Sequence, residues 1–189
     1  APPDQPRKGD QHFAMYNYGI GSENIASSLS RFDAPFDHGT RHYPPIAEVK
    51  PDIIIVGSYA YNPLVPYDRA QHEYALTDLV NKSRQLSSQV YMLAEIAPVE
   101  NGFGTGPGGA NWPTDLANAQ VQKIIEQMGN VFTVSAKLSV PVIDVYNKSK
   151  MSGSIYGNPD YVSTHDHIHY SLLGQDLTAS IIVNTIVLK

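Results

Sequence analysis

Apolar positions along this chain fall into short unbroken runs separated by longer segments with helical spacing. Ile53-Ile54-Ile55-Val56-Gly57 is the clearest run. It is β-branched with no polar alternation, which predicts a central parallel strand covered on both faces. Gln89 to Ala97, around Val90-Tyr91-Met92-Leu93, predicts a second strand, and Pro141-Val142-Ile143-Asp144-Val145 a third. Phe13-Ala14-Met15-Tyr16-Asn17-Tyr18 predicts a shorter strand before them. Helical spacing places Ile25, Leu29 and Phe32 on one helix, and Ala75, Leu76, Leu79, Val80 and Leu86 on another from Asp68 to about Leu86. Thr114, as N-cap, opens a helix to about Lys137, and Leu172 to Leu188 forms the last. Residues 33–47, punctuated by Pro35, Gly39, Pro44 and Pro45, read as irregular. The alternation of strand and helix predicts an α/β fold with a mostly parallel sheet. Residues 1–12 read as an extended lead and 13–189 as a single domain without repeats.

Composition narrows the function classes. A net charge of −5 and no basic stripe argue against a nucleic-acid partner. No apolar run approaches the roughly 20 residues of a membrane span. The absence of cysteine excludes disulfides, thiolate metal sites and a cysteine nucleophile. Thirteen Lys and Arg beside twelve Tyr favour an exported protein over an intracellular one.

Candidate chemistry concentrates late in the chain, in Ser163-Thr164-His165-Asp166-His167-Ile168-His169. Asp166 and His169 stand three residues apart, so one carboxylate can reach the imidazole and fix its tautomer. The other ring nitrogen is then free to take a proton from a hydroxyl. The competing reading makes Asp166 a helix cap. Early in the chain, Gly19-Ile20-Gly21-Ser22 suits a tight turn that exposes backbone N–H groups, or an ordinary turn with Ser22 or Asn24 as a cap. Ser58-Tyr59-Ala60-Tyr61-Asn62 follows the carboxyl end of the apolar strand, where sites form in open α/β sheets. The Gly-rich stretch 99–113 reads as a substrate-covering loop, with Trp112 a candidate to line the pocket beside Tyr59.

In their order these stretches resemble the SGNH, or GDSL-like, hydrolase family over residues 13 to 188. Asn17-Tyr18-Gly19-Ile20-Gly21-Ser22-Glu23 is similar to the family's second block. Lys50 to Gly57 with Asn62 resembles the third, and Val142 to Val145 followed by Asp166-His167-Ile168-His169 the last strand and fifth block. The resemblance implies a flavodoxin-like three-layer α/β/α fold and a serine ester hydrolase acting on acyl or acetyl esters, carbohydrate deacetylation included, without cofactor or metal. It implies His169 as base, Asp166 as its partner, and an oxyanion hole drawn from Ser22, Gly21 and the Asn62 side chain. Each such donor is commonly worth about 3–4 kcal/mol.

Two departures bear on this. Gly57 and Asn62 are separated by four residues where the family has Gly-x-Asn-Asp. The family's opening strand, ending in Gly-Asp-Ser, has only Gly9-Asp10-Gln11 as an echo. The expected first strand is therefore missing, and three explanations stand. The nucleophile comes from another segment or a second chain that completes the sheet; the protein is a silent carbohydrate- or acyl-binding module; or the strand at 13–19 is central and Ser22 is the nucleophile. A metal site on the alternating His165, His167 and His169 is the remaining alternative.

Overall fold

The computed structural model describes residues 14–186. A three-stranded parallel sheet organises it, with β3 (Ile53–Val56), β4 (Gln89–Ala94) and β5 (Val142–Asp144) in the order β3-β4-β5. Register pairs Ile53 with Gln89, Val56 with Met92, and Met92 with Val142. The long helices α3 (Arg69–Leu86) and α4 (Thr114–Leu138) pack on each other and on β4. α6 (Leu172–Thr185) packs on β5, which gives the three-layer arrangement. Leu76, Met92, Ile124, Met128 and Ile143 are fully buried where these layers meet. Burial of side chains this size contributes about 1.5–3 kcal/mol each. None of the described helices is long and apolar enough to cross a membrane.

Local signals explain the helix boundaries. The Asp68 side chain accepts from Gln71 N at 2.9 Å and caps α3, so Asp68→Ala is expected to cost about 1 kcal/mol in urea melts. An unchanged midpoint would show that α3 starts without that cap. α4 begins at Thr114 itself, after Pro113, so Thr114 is the first helical residue and not the predicted N-cap. Ser171 caps α6 through Gly174 N.

Three expectations need correction. Residues 14–18 form no strand (Phe13 lies outside the described residues), and Met15 and Tyr16 are exposed. Without a ladder partner, propensity alone does not hold a strand. Tyr18 instead packs edge-on against Phe36 and Tyr43, and its hydroxyl donates to Pro44 O at 2.9 Å. The stretch expected to be irregular contains an antiparallel hairpin, β1 (Phe36–His38) and β2 (Arg41–Tyr43), turned at Gly39 with φ +59°, and then a one-turn helix α2 (Ile46–Val49). Finally, β3 is an edge strand and β4 the central one. Ile55 remains 38% exposed because no described strand pairs with the outer side of β3. Among the described residues, 14–19 therefore form no central strand.

Candidate active site

The turn carrying Asp166 and His169 is closed at its base by Ser163 N donating to His169 O at 2.7 Å and by His167 N donating to Ser163 O at 2.8 Å. Inside it the Asp166 carboxylate is saturated. Oδ1 accepts from the backbone N–H groups of Ile168 (2.8 Å) and His169 (2.9 Å), and Oδ2 accepts from His169 Nδ1 at 2.6 Å. Asp166 is buried, whereas the His169 ring is 80% exposed. With Nδ1 donating to Asp166, Nε2 is left as the proton acceptor, and it bonds to no other described residue.

Burial alone would raise the Asp166 pKa. The N–H groups of His169 and Ile168, followed by the His169 ring, outweigh it and hold the carboxyl at about 2, below the ordinary 3.8. A depressed pKa favours the ionised native state. That stability is present above about pH 4 and is lost as pH falls toward 2. Asp166→Asn is therefore expected to flatten the acid limb of melting temperature against pH, and a slope like the wild type's would assign that limb elsewhere.

The Gly-rich loop braces this turn from outside. Gly108 N donates to His165 O at 2.9 Å, and His167 Nδ1 donates to Thr105 O at 2.8 Å. A Cβ at Gly108 would lie 2.1 Å from the His165 ring, so a side chain there requires that ring to turn aside. The His167 and His169 rings thus turn to different partners, Thr105 O and Asp166, and no described group of His, Asp and Glu is set to hold a metal ion. Trp112 stacks on Phe103 at 6.3 Å, and Phe103 lies 6.2 Å from the Tyr61 ring. These rings form an aromatic shelf beside Ile168, whose Cδ1 lies 3.9 Å from where a Gly104 Cβ would project.

A chain of contacts links the early and late stretches along the carboxyl edge of the sheet. Ile96 N donates to Tyr170 Oη at 3.4 Å and Ile96 O accepts from Tyr61 Oη at 3.0 Å. Tyr59 Oη shares a 2.7 Å hydrogen bond with Ser28 Oγ in α1 (Ile25–Ser30), so its hydroxyl is engaged beneath that helix. Just past α1, Arg31 grips Glu23 and donates to Tyr18 O at 2.7 Å, fixing the Gly19–Ser22 turn. Gly21 and Ser22 are exposed, and their backbone N–H groups donate to no described acceptor. Asn62 is half-buried and its N–H donates to Tyr59 O at 3.2 Å. No hydrogen bond joins Ser22 or Asn62 to His169.

Backbone strain marks the same segments. Six described non-glycine residues have left-handed φ. Lys50 and Ser139 end helices, and the rest are Ser22, Tyr59, Asn111 and His167. Each such conformation costs about 1–3 kcal/mol and persists where surroundings over-determine it. One falls in each candidate stretch.

The sequence matches no family model, and no curated protein matches it. Solved structures do match. A lipase/acylhydrolase from Enterococcus faecalis is similar at 16% identity and TM-score 0.60, covering 86% of this chain and 70% of its own. A GDSL-like lipase from Bacteroides thetaiotaomicron is similar at 15% identity and TM-score 0.65, covering 88% and 72%. The fold is that of the SGNH, or GDSL-like, hydrolases. A catalytic mutant of an acetylxylan esterase from Geobacillus stearothermophilus shares this SGNH-like architecture at 14% identity and TM-score 0.60, covering 92% and 72%. At these identities the likeness is one of fold.

Reading the sequence missed a polar cluster beneath the site. Ser58 Oγ donates to Glu95 at the carboxyl end of β4, and the Ser58 carbonyl accepts from His72 Nε2 at 2.9 Å. His72 Nδ1 in turn accepts from Asn130 Nδ2 at 3.1 Å. The available signal was a lone glutamate ending an otherwise apolar strand.

Proposed function

We propose that this protein is a serine-type ester hydrolase for short acyl esters, acetyl groups on carbohydrate included. The observation that carries the reading is the Asp166–His169 bond, which leaves His169 Nε2 free and exposed on an SGNH-like fold. The names of similar structures, a GDSL-like lipase and an acetylxylan esterase, support it.

In the proposed reaction a hydroxyl attacks the ester carbonyl while Nε2 takes its proton, and Asp166 stabilises the imidazolium. The tetrahedral oxyanion accepts from the exposed N–H groups of Gly21 and Ser22 and from the Asn62 amide. Collapse expels the alcohol, protonated by His169, and water repeats the sequence on the acyl-enzyme. We assign the hydroxyl to Ser22, which is exposed on its left-handed turn. Tyr59 and Trp112 are proposed as walls for the bound ester.

The open side of β3, with Ile55 exposed, favours a second source. There a strand from another segment or chain pairs with β3 and brings the hydroxyl, and Ser22 remains an oxyanion donor. Labelling with a fluorophosphonate and mass mapping separates the two. An adduct on Ser22 supports the first; no adduct here, with turnover appearing only after a partner is added, supports the second. No adduct, together with p-nitrophenyl acetate hydrolysed by the wild type no faster than by His169→Ala or by buffer alone, would leave a binding module in place of an enzyme.

A further inference from the structure

His72 is a buried histidine of α3 that takes no part in the proposed reaction. Its partners fix which ring nitrogen carries the hydrogen. Nε2 lies 2.9 Å from Ser58 O, a carbonyl, which can only accept. Nδ1 lies 3.1 Å from Asn130 Nδ2. The Asn130 amide has one orientation, because its Oδ1 accepts from Arg69 Nε at 3.2 Å and its Nδ2 donates to Arg69 O at 2.9 Å. The ring is therefore neutral, with its hydrogen on Nε2 and Nδ1 bare. A further proton on Nδ1 would face the Asn130 NH₂, donor against donor, between residues that are fully buried.

The charged groups around the ring are engaged elsewhere. On α3, Asp68 accepts from Gln71 N, and Glu73 is paired with Lys137 of α4. Glu95, past β4, meets the Ser58 hydroxyl and not the carbonyl that His72 holds. α1 and β3, which also pack on α3, carry no ionisable side chain, and β4 carries only the Tyr91 phenol. Burial lowers the His72 pKa from the ordinary 6.5, with the Ser58 bond and Glu73 opposing it in part. The Ser58 carbonyl belongs to the peptide plane that enters Tyr59, whose φ is +55°. A bond that fixes this plane fixes the direction in which the left-handed residue departs, and with it Asn62, whose N–H closes on Tyr59 O.

We propose that His72 is a positioning residue for the 57–62 turn: locked in its neutral Nε2–H form by the Arg69–Asn130 pair, it holds the Ser58 carbonyl and so places the candidate wall Tyr59 and the candidate oxyanion donor Asn62. The activity arm of this inference rests on the esterase reading; the spectroscopic arm does not.

Two amide variants of the full chain test it. His72→Gln carries an NH₂ as many bonds from Cβ as the ring's Nε2 and can still donate to Ser58 O, whereas His72→Asn falls one bond short. Nitrogen-15 ring resonances of wild-type His72, assigned by their absence in His72→Gln, are expected to show hydrogen on Nε2, a bare Nδ1 and a titration midpoint below 6.5. The Nδ1–H form, or a midpoint at or above 6.5, would overturn the proposal even if neither variant folds. The backbone amide shifts of Tyr59 and Asn62 are expected to move in His72→Asn and to stay near wild type in His72→Gln; shifts unmoved in His72→Asn would overturn the positioning role. On p-nitrophenyl acetate, at equal folded fraction, His72→Asn is expected to lose about tenfold or more, most of it in kcat, and His72→Gln to recover to within about threefold of wild type. A merely structural histidine gives wild-type kcat in the folded fraction of both variants, which would overturn the link to the site, as would an equal loss in both. If the wild type hydrolyses no ester, the esterase reading fails, and the ring resonances and amide shifts still decide the role of His72.

Discussion

His169→Ala is expected to lower kcat/KM for p-nitrophenyl acetate by about 10²–10⁴, the range a positioned general base supplies. The exposed ring carries little packing, so melting temperature should change little and the loss should lie in kcat. Asp166→Asn should approach the same loss for a different reason. Asp166 Oδ1 is held by two backbone N–H groups, so an amide there keeps its carbonyl toward them and points its NH₂ at His169 Nδ1. The ring must then carry its hydrogen on Nε2, where it cannot accept one. Wild-type kcat in both variants, at equal folded fraction, would remove these two residues from the reaction.

The largest expected effect on folding lies at Gly157. A Cβ built there would stand 2.1 Å from Ala97 O and 2.9 Å from Ala97 C, both backbone atoms that no rotamer change can move. The approach is built in: Gly157 N donates to Pro98 O at 2.8 Å, and Ala97 N donates to Ser149 Oγ at 2.8 Å. These bonds pin the segment after α5 (Val145–Lys148) to the extension of the central strand. Gly157→Ala is expected to cost about 3 kcal/mol, near the upper end for overpacking. For a chain of this size that lowers the melting temperature by about 6–12 °C. Gly21→Ala is the control, since nothing lies within 4 Å of its Cβ position, and its effect on stability should stay within about 0.5 kcal/mol. Equal melting of the two variants would show that the backbone crossing at Gly157 yields easily.

Much of the fold was legible because its information is local. The apolar runs at 53–56, 89–94 and 142–144 and the helical spacing of α3 and α4 each fit within one window. Asp166 and His169 were legible for the same reason, since three residues separate them. The hairpin at 36–43 was not. Its strands are three residues each and carry Asp37, His38, Arg41 and His42, with stability drawn from the stacked rings of Phe36 and Tyr43 and from Arg31 over Phe36. The edge position of β3 was hidden too. A β-branched run reports how its faces are covered, not how many ladders it joins. The Ser58–Glu95 bond joins residues 37 positions apart, and no periodicity encodes it.

Trp112 is the chain's single tryptophan, stacked on Phe103 and 38% open to solvent. Ultraviolet emission excited at the red end of protein absorption therefore originates from one ring on the Gly-rich loop. Any molecule that settles over that ring will register as quenching or a colour shift without a dye being attached.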